Sequence, residues 1–393
     1  MARHALRRGD RLSETLASVD LLASSPLACV GLRLREVLVS ADNSHRAGLL
    51  TAGDLWRLAN YVDTILHSLP RTFGQRFWFD AALIQAMIRD WSDRNLFSSV
   101  VVPRYYGDWG HASIPMPVVE PPGANPIERR AHVIDLILMP GEDRLEDINL
   151  LDYALLAHEL GHNLLFRQDQ LFIPKVSEGI QAILRSLRLG AVADRGRARA
   201  NAQKAIDELL ALWNPNPDHR NWAHELGADL IALWVLGPAY LAVFEDLLEG
   251  PHLNPHEVAP VHPPYAVRVA ALIDGARRLG FSDFLTELER LPESWQRSGW
   301  NEHKTNWFLF LADPRLIQTA VDAALAFCEK LNLRLCTTDH LNALQPSFRN
   351  VELQECGTDL LLAAWLSCSQ SGRDTYSAWE ESVVASLAAS VTP

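Results

Sequence analysis

The chain has 393 residues, 48% of them hydrophobic, enough for one large core or two to three ordinary ones. Its 48 acidic residues against 36 basic ones leave a formal charge of −12, which excludes a general phosphate-binding surface of the nucleic-acid type. Five cysteines (Cys29, Cys328, Cys336, Cys356 and Cys368) are odd in number and include no C-x-x-C pair, so neither a disulfide framework nor a zinc-thiolate site is expected.

The basic N-terminus, M-A-R-H-A-L-R-R-G-D-R, is followed by an apolar segment that Ser13, Glu14 and Asp20 interrupt, so no signal peptide is expected. Residues 10–95 carry apolar positions at helical spacing, such as Leu55, Leu58, Val62, Ile65, Leu66 and Leu69, stopped by Pro70. The character changes over 96–140. S-S-V-V-V-P and V-I-D-L-I-L-M-P read as short strands around the proline-rich loop P-M-P-V-V-E-P-P-G-A-N-P, giving two or three strands in all. Helical period returns from Asp147 to Phe166 and again from Ser177 to Leu189. The charged D-R-G-R-A-R-A-N-A-Q-K at 194–204 reads as a solvated helix face or turn.

W-N-P-N-P-D-H-R-N is a loop, and Asn221 or Asn216 is placed to cap a helix running through H-E-L-G-A-D-L-I-A-L-W that breaks near Gly237-Pro238. The longest uncharged run, Leu230–Phe244, is too short to span a bilayer, so no membrane insertion is expected. Residues 281–393 read as helical, and 12 tryptophans suit well-filled helix interfaces. The expected division is an N-terminal helical region (1–95), a core (96–280) and a C-terminal helical region (281–393). The fold class is α+β, predominantly helical, with a small sheet, and an acidic chain of this kind is expected in the cytoplasm.

Within L-L-A-H-E-L-G-H-N-L-L at 155–165, His158 and His162 stand four apart. On a helix they project from one face and can aim two imidazole nitrogens at one point. Glu159 lies beside that point, where a carboxylate can take a proton from a metal-activated water rather than coordinate. A plain core helix would have to bury two histidines and a glutamate without partners, at roughly 2 kcal/mol or more per group. A metal removes that cost. For the third ligand Glu225 is preferred to Glu178. Glu225 and Asp229 are i and i+4, so one can coordinate while the other fixes a ligand imidazole from behind; four residues after Glu178 stands Ala182. His224, next to Glu225, points about 100° away and reads as a packing residue, and His219 is unassigned.

These residues resemble the gluzincin metallopeptidases, zincins with H-E-x-x-H and a later glutamate. The nearest pattern is that of the HtpX and CAAX prenyl protease family, matched here by E-L-G-A-D at 225–229 and by H-P-P-Y-A-V-R at 262–268. The resemblance covers about residues 130–280 and implies a zincin-like core with one active-site helix. It implies that His262 hydrogen-bonds the tetrahedral intermediate and that Arg268 braces the ligand glutamate or the substrate. HtpX-type enzymes are membrane-embedded and this chain offers no such helices, so the soluble minigluzincins, which share the catalytic core alone, are the better comparison.

The expected function is therefore zinc-dependent hydrolysis of a protein or peptide substrate. His158, His162 and Glu225 hold Zn2+, Glu159 serves as general base, and V-I-D-L-I-L-M at 133–139 holds the substrate by edge pairing. Tyr153, Trp222, Tyr240 and Tyr265 are all candidate donors near the metal, and nothing in the sequence chooses among them. A second class fits the same residues: a regulatory or interaction protein with a structural or degenerate metal site, whose helical flanks bind a partner. A structural site has no need of the base at Glu159. A zinc hydrolase of a non-peptide amide is a third reading.

Overall fold

A computed structural model describes residues 12–20, 27–69, 73–91, 96–97, 100–105, 108–115, 133–142, 144–191, 197–214, 221–248, 254–300, 305–344, 357–371 and 373–391. Most of them are helical, with one three-stranded sheet. Most of the P-M-P-V-V-E-P-P-G-A-N-P loop, Asn216 and His219 lie outside the described residues. The contacts group the chain into two compact units built from separated segments, whereas the sequence reading divides it into consecutive ones.

The first unit comprises Met1–Ala82, Phe97–Ile148 and Ala385–Pro393. Its helices are α1 (12–20), α2 (Ala28–Arg46), α3 (Ala52–Ser68) and the start of α4 (Gln75–Trp91). Leu27, Val30, Leu34 and Leu38 recur at helical spacing and meet Val62, Ile65 and Leu69 in one core with Phe77, Val102 and Leu136. Thr51 opens α3 with a capping box: its hydroxyl accepts from the Asp54 N–H while Asp54 accepts from the Thr51 N–H.

The sheet runs in the order β1 (Val100–Tyr105), β3 (Val133–Met139), β2 (Gly110–Pro115), with β3 parallel to β1 and antiparallel to β2. β3 is therefore the central strand. Its backbone groups are committed on both sides, so the expected edge pairing of 133–139 with a substrate is corrected: this strand has no free edge. The third strand, G-H-A-S-I-P, has little strand propensity, and its pairing with β3 recruits it. A buried side-chain contact joins the two strands, His111 Nε2 lying 3.0 Å from Asp135 Oδ1.

The second unit comprises Leu83–Leu96 and Asn149–Val384. Its helices are α5 (Ala154–Arg167), α6 (Asp169–Ala191), α7 (Arg197–Trp213), α8 (Trp222–Leu236), α9 (Pro238–Leu248), α10 (Tyr265–Arg278), α11 (Thr286–Arg297), α12 (Asn306–Leu311), α13 (Pro314–Leu331), α14 (Thr338–Leu344), α15 (Gly357–Gln370) and most of α16 (Arg373–Val391). The helical period read from Asp147 begins as a 3-10 turn at Leu145–Asp147, and the α-helix itself starts at Ala154.

Every residue of α8 is buried, as expected of a helix apolar on nearly all sides, and α5, α10 and α13 pack around it. Asn221 caps it, its side-chain oxygen accepting from the Ala223 and His224 N–H groups at 3.1 and 3.3 Å. Gly237, at φ +50°, ends it, and Pro238 starts α9 in the first-turn position that tolerates a missing N–H. α5 meets α8 closely at Gly161. A Cβ there would stand 3.1 Å from Ala228 Cα and 3.2 Å from its carbonyl oxygen, so a side chain would press directly on the α8 backbone.

Candidate metal centre

That contact sets two helix faces against each other. α5 brings His158, Glu159 and His162, and α8 brings Glu225 and Asp229, all of them buried. His158, His162 and Glu225 form the group whose donor atoms lie within 4.8 Å of one another. The two Nε2 atoms are 3.1 Å apart, His158 Nε2 lies 3.5 Å from Glu225 Oε2, and His162 Nε2 lies 3.3 Å from Glu225 Oε1. Ligands of a tetrahedral zinc, bound at about 2.0–2.2 Å, stand roughly 3.3–3.5 Å from one another. The two distances to Glu225, one to each of its oxygens, fall in that range, and the two imidazole nitrogens stand slightly closer. Glu178 is exposed on α6 and does not join the group.

The charge fits as well. Glu225 and Asp229 are buried acids, and Arg268 pairs with Asp229, so the carboxylate among the three donors is not the one this guanidinium balances. Two imidazoles and a carboxylate are donors that zinc accepts. Burial acts to lower the pKa of His158, but the Asp229 carboxylate outweighs it and raises it to about 9. Burial works against ionisation of Glu225 too, yet His162, His158 and His262 hold its carboxyl well below the usual range. In the metal-free centre a proton therefore holds part of the place a cation would take, and metal binding would release it.

Behind His158 stands a carboxylate clamp. Asp229 Oδ1 lies 2.8 Å from His158 Nδ1, which directs Nε2 toward the group. The Tyr240 hydroxyl, from α9, donates to the same oxygen at 2.6 Å. Arg268, from α10, forks onto both oxygens, with Nη2 to Oδ1 at 2.6 Å and Nε to Oδ2 at 2.8 Å, and its guanidinium lies over the Phe244 ring. Against the cost of burial, this pair keeps Asp229 ionised and Arg268 charged, while burial and the Asp229 charge push the Tyr240 phenol well above its ordinary value, so it stays a donor.

Arg268 thus braces Asp229, not Glu225 or the open face of the site as the resemblance implied. His262 is 61% exposed, with Nδ1 3.2 Å from Glu225 Oε2, so it stands at the mouth of the group. His224 points away and stacks on Phe166, ring centroids 5.2 Å apart. Of the four candidate donors, Tyr240 reaches the site through Asp229. That contact depends on the sharp turn at Gly237-Pro238, which returns α9 toward α8; Trp222, by contrast, spends its N–H on the Ala259 carbonyl.

Comparison with family models, with curated proteins and with solved structures gives no match for this chain. Among the described residues, no helix is long and apolar enough to cross a membrane.

Proposed function

We propose that the chain is a zinc-dependent peptidase of the gluzincin type, with a zincin-like catalytic core. The observation that carries this reading is the convergence of His158, His162 and Glu225, with donor atoms within 4.8 Å of one another, and Glu159 next to His158 on the same helix. Three protein donors are the number a catalytic zinc keeps, leaving one position for a small ligand. When bound, zinc supplies Lewis acidity toward water and toward a scissile carbonyl.

The chain's own residues supply the rest. Glu159 accepts the proton of the attacking water and passes it to the leaving amine. Asp229 holds the proton of His158 on Nδ1, so that Nε2 keeps its lone pair for the metal, and Arg268 and Tyr240 fix Asp229 in turn. His262, on the exposed side, offers a hydrogen bond to the developing oxyanion.

The test is Glu159→Gln. Zinc should remain near one per chain while hydrolysis of an unfolded protein falls by about 100-fold or more. His158→Ala and Glu225→Ala should instead lose the metal. Zinc bound at full stoichiometry with no chelator-sensitive cleavage of any peptide would favour the structural-site reading.

A further inference from the structure

A cavity of about 660 Å³ opens on the far side of α10, within the roughly 300–1,000 Å³ typical of small-molecule sites. It is separate from the metal centre. At about 100° per residue, Ala266 and Ala270, which line the cavity, lie about 200° around the helix from Arg268, whose side chain goes to Asp229.

The walls are apolar and ring-rich. His256 meets Phe308 edge-on, centroids 4.8 Å apart at 62°, and Trp295 edge-on at 6.2 Å and 78°. Edge-to-face clusters of this kind accept a further ring in the same geometry. The charge of the lining narrows the ligand. None of the described residues that line the cavity is Lys or Arg, and its one acid, Asp274, is taken on both oxygens by Arg278 at 3.1 and 2.7 Å. A carboxylate, sulfonate or phosphate would lose its water there and meet no Lys or Arg among the described lining residues in exchange.

We propose that this cavity binds a small neutral aromatic molecule, packed against His256, Trp295 and Phe308 with Gln318 as its polar contact. The site is independent of the peptidase reading and is tested without it.

The full chain is titrated with N-phenyl-1-naphthylamine, a neutral fluorophore, and with its charged analogue 1-anilinonaphthalene-8-sulfonate. The neutral probe should saturate at one per chain and bind at least tenfold more tightly than the sulfonate. Ala270→Trp on α10 and Gln318→Trp on α13 add bulk to the cavity lining from two helices, both at exposed positions. Each should weaken the neutral probe tenfold or more while circular dichroism and zinc content stay unchanged. Gln318→Lys should shift the preference toward the sulfonate. Absence of saturable binding to the wild-type chain, or wild-type affinity for the neutral probe in both filled variants, overturns the proposal.

Discussion

The two oxygens of Asp229 take four donors at once: His158 Nδ1, the Tyr240 hydroxyl, and Nε and Nη2 of Arg268. Three of them meet on Oδ1 and one on Oδ2, so Asp229 is held in place from three helices. Arg268→Ala would strand that buried charge and is expected to cost about 3–5 kcal/mol in denaturant unfolding. Its metal affinity should also fall 10–100-fold through loss of His158 orientation. Arg268→Lys, which keeps the charge and loses the fork, should recover more of the stability than of the affinity, and equal recovery of both would contradict the orienting role. A different carboxylate gives a pH dependence. Burial raises the pKa of Glu380, which accepts from the Leu150 N–H and the Tyr376 hydroxyl and faces the charges of Asp152 and Glu381. A raised folded-state pKa means that the stability contribution is complete below the ordinary glutamate range and is lost as pH climbs through the folded value. Glu380→Gln should therefore gain on the wild type as the pH of the unfolding titration rises from 4 to 7. That His158, Glu159 and His162 would share one helix was legible because their spacing is a property of that helix. The partner of Arg268 was not, since motif order does not say which of two acids one turn apart an arginine from another helix will meet.

At the scale of helices, α5 and α8 work as one object because Gly161 lets their backbones touch. Gly161→Val would push a branched side chain against Ala228 backbone, and overpacking of this kind costs typically 1–3 kcal/mol. The readout that matters is zinc: if the helices separate, the 3.3–3.5 Å gaps from the His158 and His162 Nε2 atoms to Glu225 widen and affinity drops, whereas unchanged affinity would mean the close contact does not set the centre. Capping and termination of α8 could be read directly from Asn221 and Gly237-Pro238, as could the strand at 133–139, because local chemistry dictates them. That β3 would lie in the middle of its sheet could not. Strand order is fixed by pairing, and the strand that completes it, G-H-A-S-I-P, carries no strand signature of its own.

For the whole molecule, the metal centre and the ring-lined cavity both belong to the second unit. Zinc at 100 times its dissociation constant should stabilise a folded partner by about 2.7 kcal/mol. Hydrogen exchange with and without zinc is expected to show added protection in α5 and α8 and little in β1–β3, so uniform protection across both units would contradict the division. Its segments could not be read from composition, because patterning marks apolar faces without saying which distant stretch covers them. The grouping of Ala385–Pro393 with Met1–Ala82 has a consequence for refolding. The last turns of α16 join the first unit across about three hundred intervening residues, so this contact closes a long loop and should form late after dilution from denaturant, once Leu34, Val62 and their neighbours have already gathered.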